Sequence, residues 1–128
     1  MRAFRAVVRL AAVALISAVA ACTHIDQPRD YLAYFDTDSA TLTPDGQRIV
    51  GTVASAVHDL SPAKIVVAGR ADGSTAHDAT LADQRATTVV QALVQQGVPA
   101  GKIEKQADAP PSGRTGVAAH QVVITILP

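Results

Sequence analysis

Residues 31–60 are YLAYFDTDSATLTPDGQRIVGTVASAVHDL, a strand pattern followed by a helix pattern. The three aromatic residues of Tyr31–Phe35 indicate a short strand, because aromatic side chains favour pleated, half-buried positions. Further along, Thr43 suits the N-cap of a helix and Pro44 suits its first position. Apolar residues then recur at helical spacing: Ile49, Val50, Val53, Ala56, Val57 and Leu60. The stretch therefore predicts a strand and then an amphipathic helix within Thr41–Leu60.

The chain downstream repeats this alternation and indicates the fold class. Lys64–Gly69, KIVVAG, is a short apolar run between turn residues, as is typical of a buried strand. A second helix is predicted over Ala79–Gln96, ending at Gly97. Lys102–Gln106 is a weak strand, and Gln121–Leu127, QVVITIL, is a strongly β-branched one. The order β-α-β-α-β-β predicts an α+β fold, a two-layer sandwich with a mixed four-stranded sheet and two helices on one face.

The first 22 residues have the composition of an export signal. Three arginines within residues 1–9 precede the apolar run Leu10–Ala21, and Cys22 follows directly. A transmembrane anchor is the weaker interpretation, because a span needs about 20 apolar residues. The single cysteine of the sequence excludes an intramolecular disulfide and a cysteine-rich zinc site. We therefore interpret residues 1–21 as a signal peptide.

Composition limits the classes of partner. The chain is 48% apolar, with 11 basic and 11 acidic residues, which is typical neither of a disordered chain nor of a polybasic nucleic-acid binder. After Cys22 the net charge is −3, and the only aromatic residues lie within Tyr31–Phe35, so no scattered platform exists for stacking bases. We predict no nucleic-acid partner and one domain at 31–128, preceded by a linker at 22–30.

Two acidic residues after the first strand, Asp36 and Asp38, suggest a metal site. The EF-hand pattern fails, because Thr41 stands where it requires Gly and Gln47 where it requires Glu. The aspartyl phosphotransferase pattern fails as well, because Ala40 stands where that pattern has Thr or Val. We predict two solvated carboxylates, no metal site and no cofactor.

Catalytic motifs are not evident. The sequence has no G-x-S-x-G, its histidines at 24, 58, 77 and 120 lack ligand spacing, and Gly69 and Gly73 do not form a phosphate-loop motif. His58 is predicted on the outer surface of the first helix. We predict that the protein is not an enzyme and has no catalytic residues, with a small periplasmic hydrolase as a remaining alternative.

Asp72 and Arg85 form the remaining candidate site. Asp72 follows the carboxyl end of a buried strand, and Arg85 is predicted about one and a half turns into the second helix, beside its apolar stripe. In one shallow cleft they could bind a ligand with an ammonium and a carboxylate group, assisted by the N-terminal N–H groups of the helix. The residues alone leave this interpretation open against a plain salt bridge.

Several segments resemble the OmpA-like peptidoglycan-binding domain, which also occurs in the peptidoglycan-associated lipoprotein. Residues 34–46, YFDTDSATLTPDG, are similar to the family's F-x-F-D-S-A-x-L-T-P-E-G. Residues 69–72, GRAD, are similar to its G-x-T-D, and residues 81–86, LADQRA, to its L-S-x-x-R-A. Residues 97–103, GVPAGKI, are similar to its G-V-x-x-x-x-I. The resemblance covers most of residues 31–127 and implies the same fold.

By this resemblance, Asp72 and Arg85 bind the zwitterionic end of meso-diaminopimelate in the peptidoglycan stem peptide. Residues of the loop after the first strand border the same cleft: Asp36, Thr37, Asp38 and Ser39. Asp78 borders it too, at a position where the family usually has Asn. Residues 119–121, AHQ, replace the family's N-R-R, so a positive charge that would help to bind a carboxylate is missing.

Residues 19–22, VAAC, resemble the bacterial lipobox. The resemblance implies three acyl chains on Cys22, palmitate among them, and two such signals already give stable anchoring. Thr23 stands where an inner-membrane retention signal would have Asp, which implies the periplasmic face of the outer membrane. We predict an outer-membrane lipoprotein that binds peptidoglycan and tethers the membrane to the cell wall, with envelope proteins as further candidate partners. The alternative is a degenerate OmpA-like interaction module, a lipid-anchored subunit of an envelope complex that does not bind peptidoglycan.

Overall fold

The computed structural model describes residues 26–70, 76–106 and 120–128. Its elements in chain order are β1 (Arg29–Tyr34), α1 (Pro44–Leu60), β2 (Lys64–Gly69), α2 (Ala76–Gln95), β3 (Ile103–Gln106) and β4 (Gln121–Leu127). A short 3-10 turn, Ala100–Lys102, leads into β3.

The four strands form one mixed sheet in the order β1-β4-β2-β3. β4 pairs antiparallel with both β1 and β2, and β2 pairs parallel with β3. Both helices pack on one face, where alternate strand residues are buried: Ala33, Ile65, Val67, Val122, Ile124 and Ile126. This confirms the predicted α+β sandwich.

Helix α1 follows its sequence signals closely. The Thr43 hydroxyl accepts a hydrogen bond from the Gly46 N–H at 3.1 Å and caps the helix, with Pro44 as its first residue. Its inward stripe includes Val50 and Val53, both buried in the core. The helix stops at Ser61, which adopts a left-handed conformation (φ 46°).

Helix α2 begins at Ala76, three residues before the predicted start, and ends at Gln95, before the left-handed Gly97 (φ 94°). The apolar residues of the first turn are two alanines, Ala76 and Ala79, and both are exposed, so the hydrophobic pattern gave little signal there. Arg85 is consequently the tenth residue of the helix, about two and a half turns from its start. The predicted position, one and a half turns in, is wrong.

Strand β1 also begins earlier than the aromatic pattern indicates. Arg29 and Asp30, which the sequence suggested for the linker, pair with Ile126 and Thr125 of β4. The Thr125 hydroxyl donates to the Asp30 carboxylate at 2.7 Å, which gives a polar residue a partner on this edge strand.

The two ends of the sheet differ in what they carry. At one end, here called the loop end, β1, β2 and β3 terminate, both helices begin, and the Phe35 N–H donates to the His120 carbonyl at 2.8 Å. At the other end, here called the Arg29 end, β1 begins at Arg29 and the Ala63 N–H donates to the Leu127 carbonyl at 3.2 Å. Within the described ranges, no helix has the length and apolar character needed to cross a membrane.

Candidate ligand site

The guanidinium of Arg85 is the centre of the site. Only 1% of Arg85 is exposed, and it lies among the buried residues of α2, with Leu81, Ala82, Ala86 and Val89. The sequence pattern predicted a position beside the apolar stripe, and that position is wrong, because Arg85 lies within the stripe. Burial of an arginine is tolerated only where hydrogen-bond partners replace the lost water.

Those partners come from the loop after β1. The Arg85 Nε donates to the Ser39 carbonyl at 2.7 Å, and its Nη2 donates to the Asp36 carbonyl at 2.9 Å. The central guanidinium carbon lies 5.6 Å from the centroid of the buried Phe35 ring, within range of a cation–π interaction. Within the described part of the chain, these two N–H groups hold the guanidinium in one orientation against this loop.

Groups of positive and negative charge lie close together around Arg85. Burial lowers the pKa of Arg85, and the negative charges of Asp38 and Asp78 oppose that shift. The guanidinium nonetheless remains a cation, since arginine is not deprotonated in proteins. The α1 and α2 N-termini, with their partial positive charge, lie at the same end of the domain. The loop end thus offers a buried cation next to accessible carboxylates.

The loop itself is fixed by several further bonds. The Thr88 hydroxyl of α2 donates to the Ala40 carbonyl at 2.8 Å, one turn along from Arg85. The Ser39 Oγ accepts from the Thr41 N–H at 3.1 Å, and Asp38 adopts a left-handed conformation (φ 53°), which Asp tolerates better than most residues. Helix α2 therefore holds residues 36–40 at two points.

The start of α2 contacts the same loop. His77 Nε2 lies 3.7 Å from the Asp38 carboxylate, and both side chains are largely exposed. An exposed pair of this kind contributes little to stability. It does place an imidazole ring beside an accessible carboxylate at the rim of the site.

Strand β2 packs very closely against α2 at Gly69. A Cβ atom on Gly69 would lie 2.1 Å from the Ala82 carbonyl oxygen and 2.8 Å from its carbon, so no other residue fits without moving the helix. Residues 71–75 are outside the described part of the chain. The prediction for Asp72 falls within this gap, and the prediction for Cys22 falls within residues 1–25, which are also outside the described part.

The other predicted site residues are placed as follows. Asp36 and Ser39 contact Arg85 through backbone carbonyls, and Asp38 and Asp78 act on it through their charge. Thr37 is exposed on the same loop.

Sequence reasoning missed Phe35 and Thr88. A signal for Thr88 existed, since it follows Arg85 by three positions and therefore shares its helix face. Phe35 directly precedes the loop, but nothing in the sequence paired it with an arginine 50 residues later.

Two grooves lie at opposite ends of the domain, and the one at the loop end includes Phe35 and Asp36 in its lining. A groove of about 250 Å³ is lined by Tyr34, Asp36 and Thr43, and a larger one of about 370 Å³ lies at the Arg29 end beside Val57 and Lys102. Among the described residues, no three His, Cys, Asp or Glu side chains cluster in a way that could bind a metal ion.

Solved structures share this architecture. The OmpA-like domain of FopA1 from Francisella tularensis superposes with a TM-score of 0.66 at 21% identity, covering 77% of this chain and 71% of that chain. The peptidoglycan-associated lipoprotein from Burkholderia pseudomallei gives a TM-score of 0.60 at 20% identity, covering 74% and 87%. At such identities the likeness establishes the fold.

Sequence comparison establishes the family. Outer membrane protein A from Shimwellia blattae is 36% identical over 92 residues, which are 69% of this chain and 38% of that protein. This chain thus matches well under half the length of that relative. Residues 34–119 match the model of the OmpA family, which confirms the resemblance found in the motifs. The chain belongs to the OmpA family.

Proposed function

We propose that this protein binds peptidoglycan noncovalently through the meso-diaminopimelate of the stem peptide. We further propose that a lipid on Cys22 anchors it to the periplasmic face of the outer membrane, so that it tethers membrane to wall. The observation that carries the proposal is the buried Arg85 guanidinium, oriented by the Asp36 and Ser39 carbonyls at the loop end.

The chemistry of the ligand fits this arrangement. Diaminopimelate differs from lysine by a carboxylate on its distal carbon, next to the ammonium group. The remaining N–H donors of Arg85 would bind that carboxylate, and the Asp72 carboxylate would bind the ammonium. Charge-assisted hydrogen bonds of this type are strong where water is largely excluded, as it is around Arg85.

The helix N-termini contribute less than the sequence suggested. Arg85 lies about two and a half turns into α2, although an arginine side chain in a helix extends back toward the N-terminus. We therefore propose that Arg85 is the main partner of the distal carboxylate of diaminopimelate. The helix N-termini add only to the positive electrostatic potential of the loop end.

The names of two relatives support an envelope role. One solved structure of the same fold is a peptidoglycan-associated lipoprotein, and one sequence relative is an outer membrane protein. For this chain, lipidation rests on the VAAC sequence at 19–22, which precedes the described residues. Intact-mass analysis of the mature protein should show a triacylated N-terminus at Cys22, and Cys22→Ala should remove it.

Sedimentation with purified sacculi tests the ligand. A soluble form that begins after Cys22 should pellet with diaminopimelate-type sacculi and stay in solution with lysine-type sacculi. Arg85→Lys keeps a cation but cannot bind a carboxylate through two parallel N–H groups, so we expect at least a tenfold loss of binding.

The matched control is Arg48→Lys, an exposed arginine of α1 that pairs only with Asp45 among the described residues. We expect it to bind like the wild type. Equal retention on both wall types, or unchanged binding by folded Arg85→Lys and Asp72→Asn, would reject the site. Either result would favour the degenerate, lipid-anchored interaction module.

A further inference from the structure

The start of the folded domain, at Arg29 of β1, lies far from the Arg85 site. Arg29, the first residue of β1, pairs with Ile126, and Tyr34, the last, pairs with Gln121. Six residues of strand span about 20 Å. Because Arg85 bonds to Asp36 and Ser39, just beyond Tyr34, the site and Arg29 lie at opposite ends of the sheet.

The connection from Cys22 to Arg29 is short. Seven residue steps span at most about 25 Å when fully extended. A flexible chain of that length has a mean end-to-end distance of roughly 15 Å. If Cys22 carries the lipid, Arg29 stays within this range of the lipid surface.

These lengths decide which end of the domain faces the membrane. For the loop end to face the lipid, the connection would have to run back along the whole sheet, about 20 Å, close to its full extension. Such extension removes most of the conformational freedom of the connection and is opposed by entropy. With the Arg29 end toward the lipid, the connection can stay relaxed.

The side chains of the Arg29 end suit a position next to lipid headgroups. They include two cations besides Arg29, namely Lys64, which pairs with Glu104, and Lys102, whose Nζ donates to the Pro62 carbonyl at 2.9 Å. Acidic groups such as Glu104 and Asp59 balance part of this charge. The length of the connection from Cys22 to Arg29, more than electrostatic attraction to the headgroups, therefore sets the orientation.

We infer that the membrane-anchored protein holds its Arg29 end against the lipid surface and presents its Arg85 site away from it, toward the wall. This orientation rests on the proposed lipidation of Cys22. Tether and sheet together place the site at most about 45 Å above the lipid surface. The protein would thus bind only those wall segments that come within this distance of the membrane.

Energy transfer to the membrane tests the orientation. The lipidated protein would be reconstituted in phosphatidylethanolamine–phosphatidylglycerol vesicles whose headgroups carry an acceptor dye. Donor dyes would be attached to Ala63→Cys at the Arg29 end and, separately, to Thr37→Cys at the loop end, both exposed positions. Acylation blocks the thiol of Cys22, so each variant has a single labelling site.

We expect stronger transfer from position 63 than from position 37, in line with a height difference of about 20 Å. Inserting about 20 Gly and Ser residues between Asp26 and Gln27 should reduce this difference, because the domain can then turn over. Protein that floats with the vesicles but shows equal or reversed transfer would overturn the orientation alone. Protein that does not float would overturn the lipid anchor, and the orientation with it.

Discussion

The two helices pack on the same face of the sheet, yet their buried stripes differ in one residue type. The inward stripe of α1 consists of apolar residues and a glycine, with Val50 and Val53 at its centre. The stripe of α2 contains Arg85, which is as buried as its apolar neighbours. Helix α1 therefore contributes mainly core packing, whereas α2 also fixes the loop at residues 36–40.

This difference indicates that α1 serves stability alone, whereas α2 serves both stability and ligand binding. An apolar stripe stabilises the fold in proportion to the area it buries. A buried arginine is costly in itself and is retained here with backbone carbonyls as partners. Substitutions in α1 should consequently change stability alone, and substitutions on the Arg85 face of α2 should change stability and ligand binding together.

The largest effect is expected where a charge enters the stripe of α1. Val53 is fully buried, so Val53→Asp places a carboxylate in the core without a partner. The cost should amount to most of the about 5 to 15 kcal/mol that stabilises a domain, and the variant should be unfolded by circular dichroism. His58→Ala, on the exposed side of the same helix, should melt within about 2 °C of the wild type.

Glycine substitutions compare the packing of the two helices. Gly69→Ala would drive a methyl group into the Ala82 backbone of α2 and should lower the free energy of unfolding by about 2 to 3 kcal/mol. Gly51→Ala in α1 meets nothing within 4 Å and should raise it by about 0.5 to 1 kcal/mol. Urea titrations measure both, and equal effects of the two changes would contradict the close approach of β2 and α2.

Arg85→Lys should weaken the hydrogen bonding between α2 and the loop at residues 36–40. A lysine cannot donate to the Ser39 and Asp36 carbonyls in the same fork geometry, so we expect a loss of about 1 to 2 kcal/mol in urea unfolding. Arg48→Lys on α1 should change the free energy of unfolding by less than about 0.5 kcal/mol. A wild-type stability for folded Arg85→Lys would show that the loop does not depend on the guanidinium.

The smallest contrast concerns two threonines. Thr88 shares its hydroxyl proton between the Ala40 carbonyl and the Gln84 carbonyl of its own helix, whereas Thr52 of α1 has, among the described residues, the Arg48 carbonyl of its own helix as its one partner. Thr88→Val should cost about 1 kcal/mol and speed amide exchange in the loop, while Thr52→Val should cost less than half as much. Hydrogen exchange at Thr41 and its neighbours distinguishes the two variants. Unchanged exchange in Thr88→Val would argue against the role of the Thr88–Ala40 hydrogen bond in fixing the loop.

Sequence reasoning predicted the elements whose signals are local. The cap at Thr43, the apolar spacing of α1 and the β-branched run of β4 all depend on neighbouring residues, and the structure confirms them. The first turn of α2 was missed because its apolar residues are exposed alanines, which give only a weak periodic signal.

The site was harder to predict, because its contacts connect distant parts of the chain. Periodicity treats an arginine as a polar, outward residue, so it could not show that Arg85 is buried. The carbonyls that make this burial tolerable belong to Ser39 and Asp36, which precede Arg85 in the chain by 46 and 49 positions. Family motifs selected Arg85 as a site residue, but they carried no information on these backbone partners.

Titration with defined stem peptides tests whether the site binds the distal carboxylate of diaminopimelate. Two tripeptides that differ only in their third residue, meso-diaminopimelate or L-lysine, would be titrated calorimetrically into the soluble chain. We expect at least about 30-fold tighter binding of the diaminopimelate peptide, equivalent to about 2 kcal/mol for one carboxylate bound by Arg85. Equal affinity for the two peptides, or no binding of either, would contradict the account.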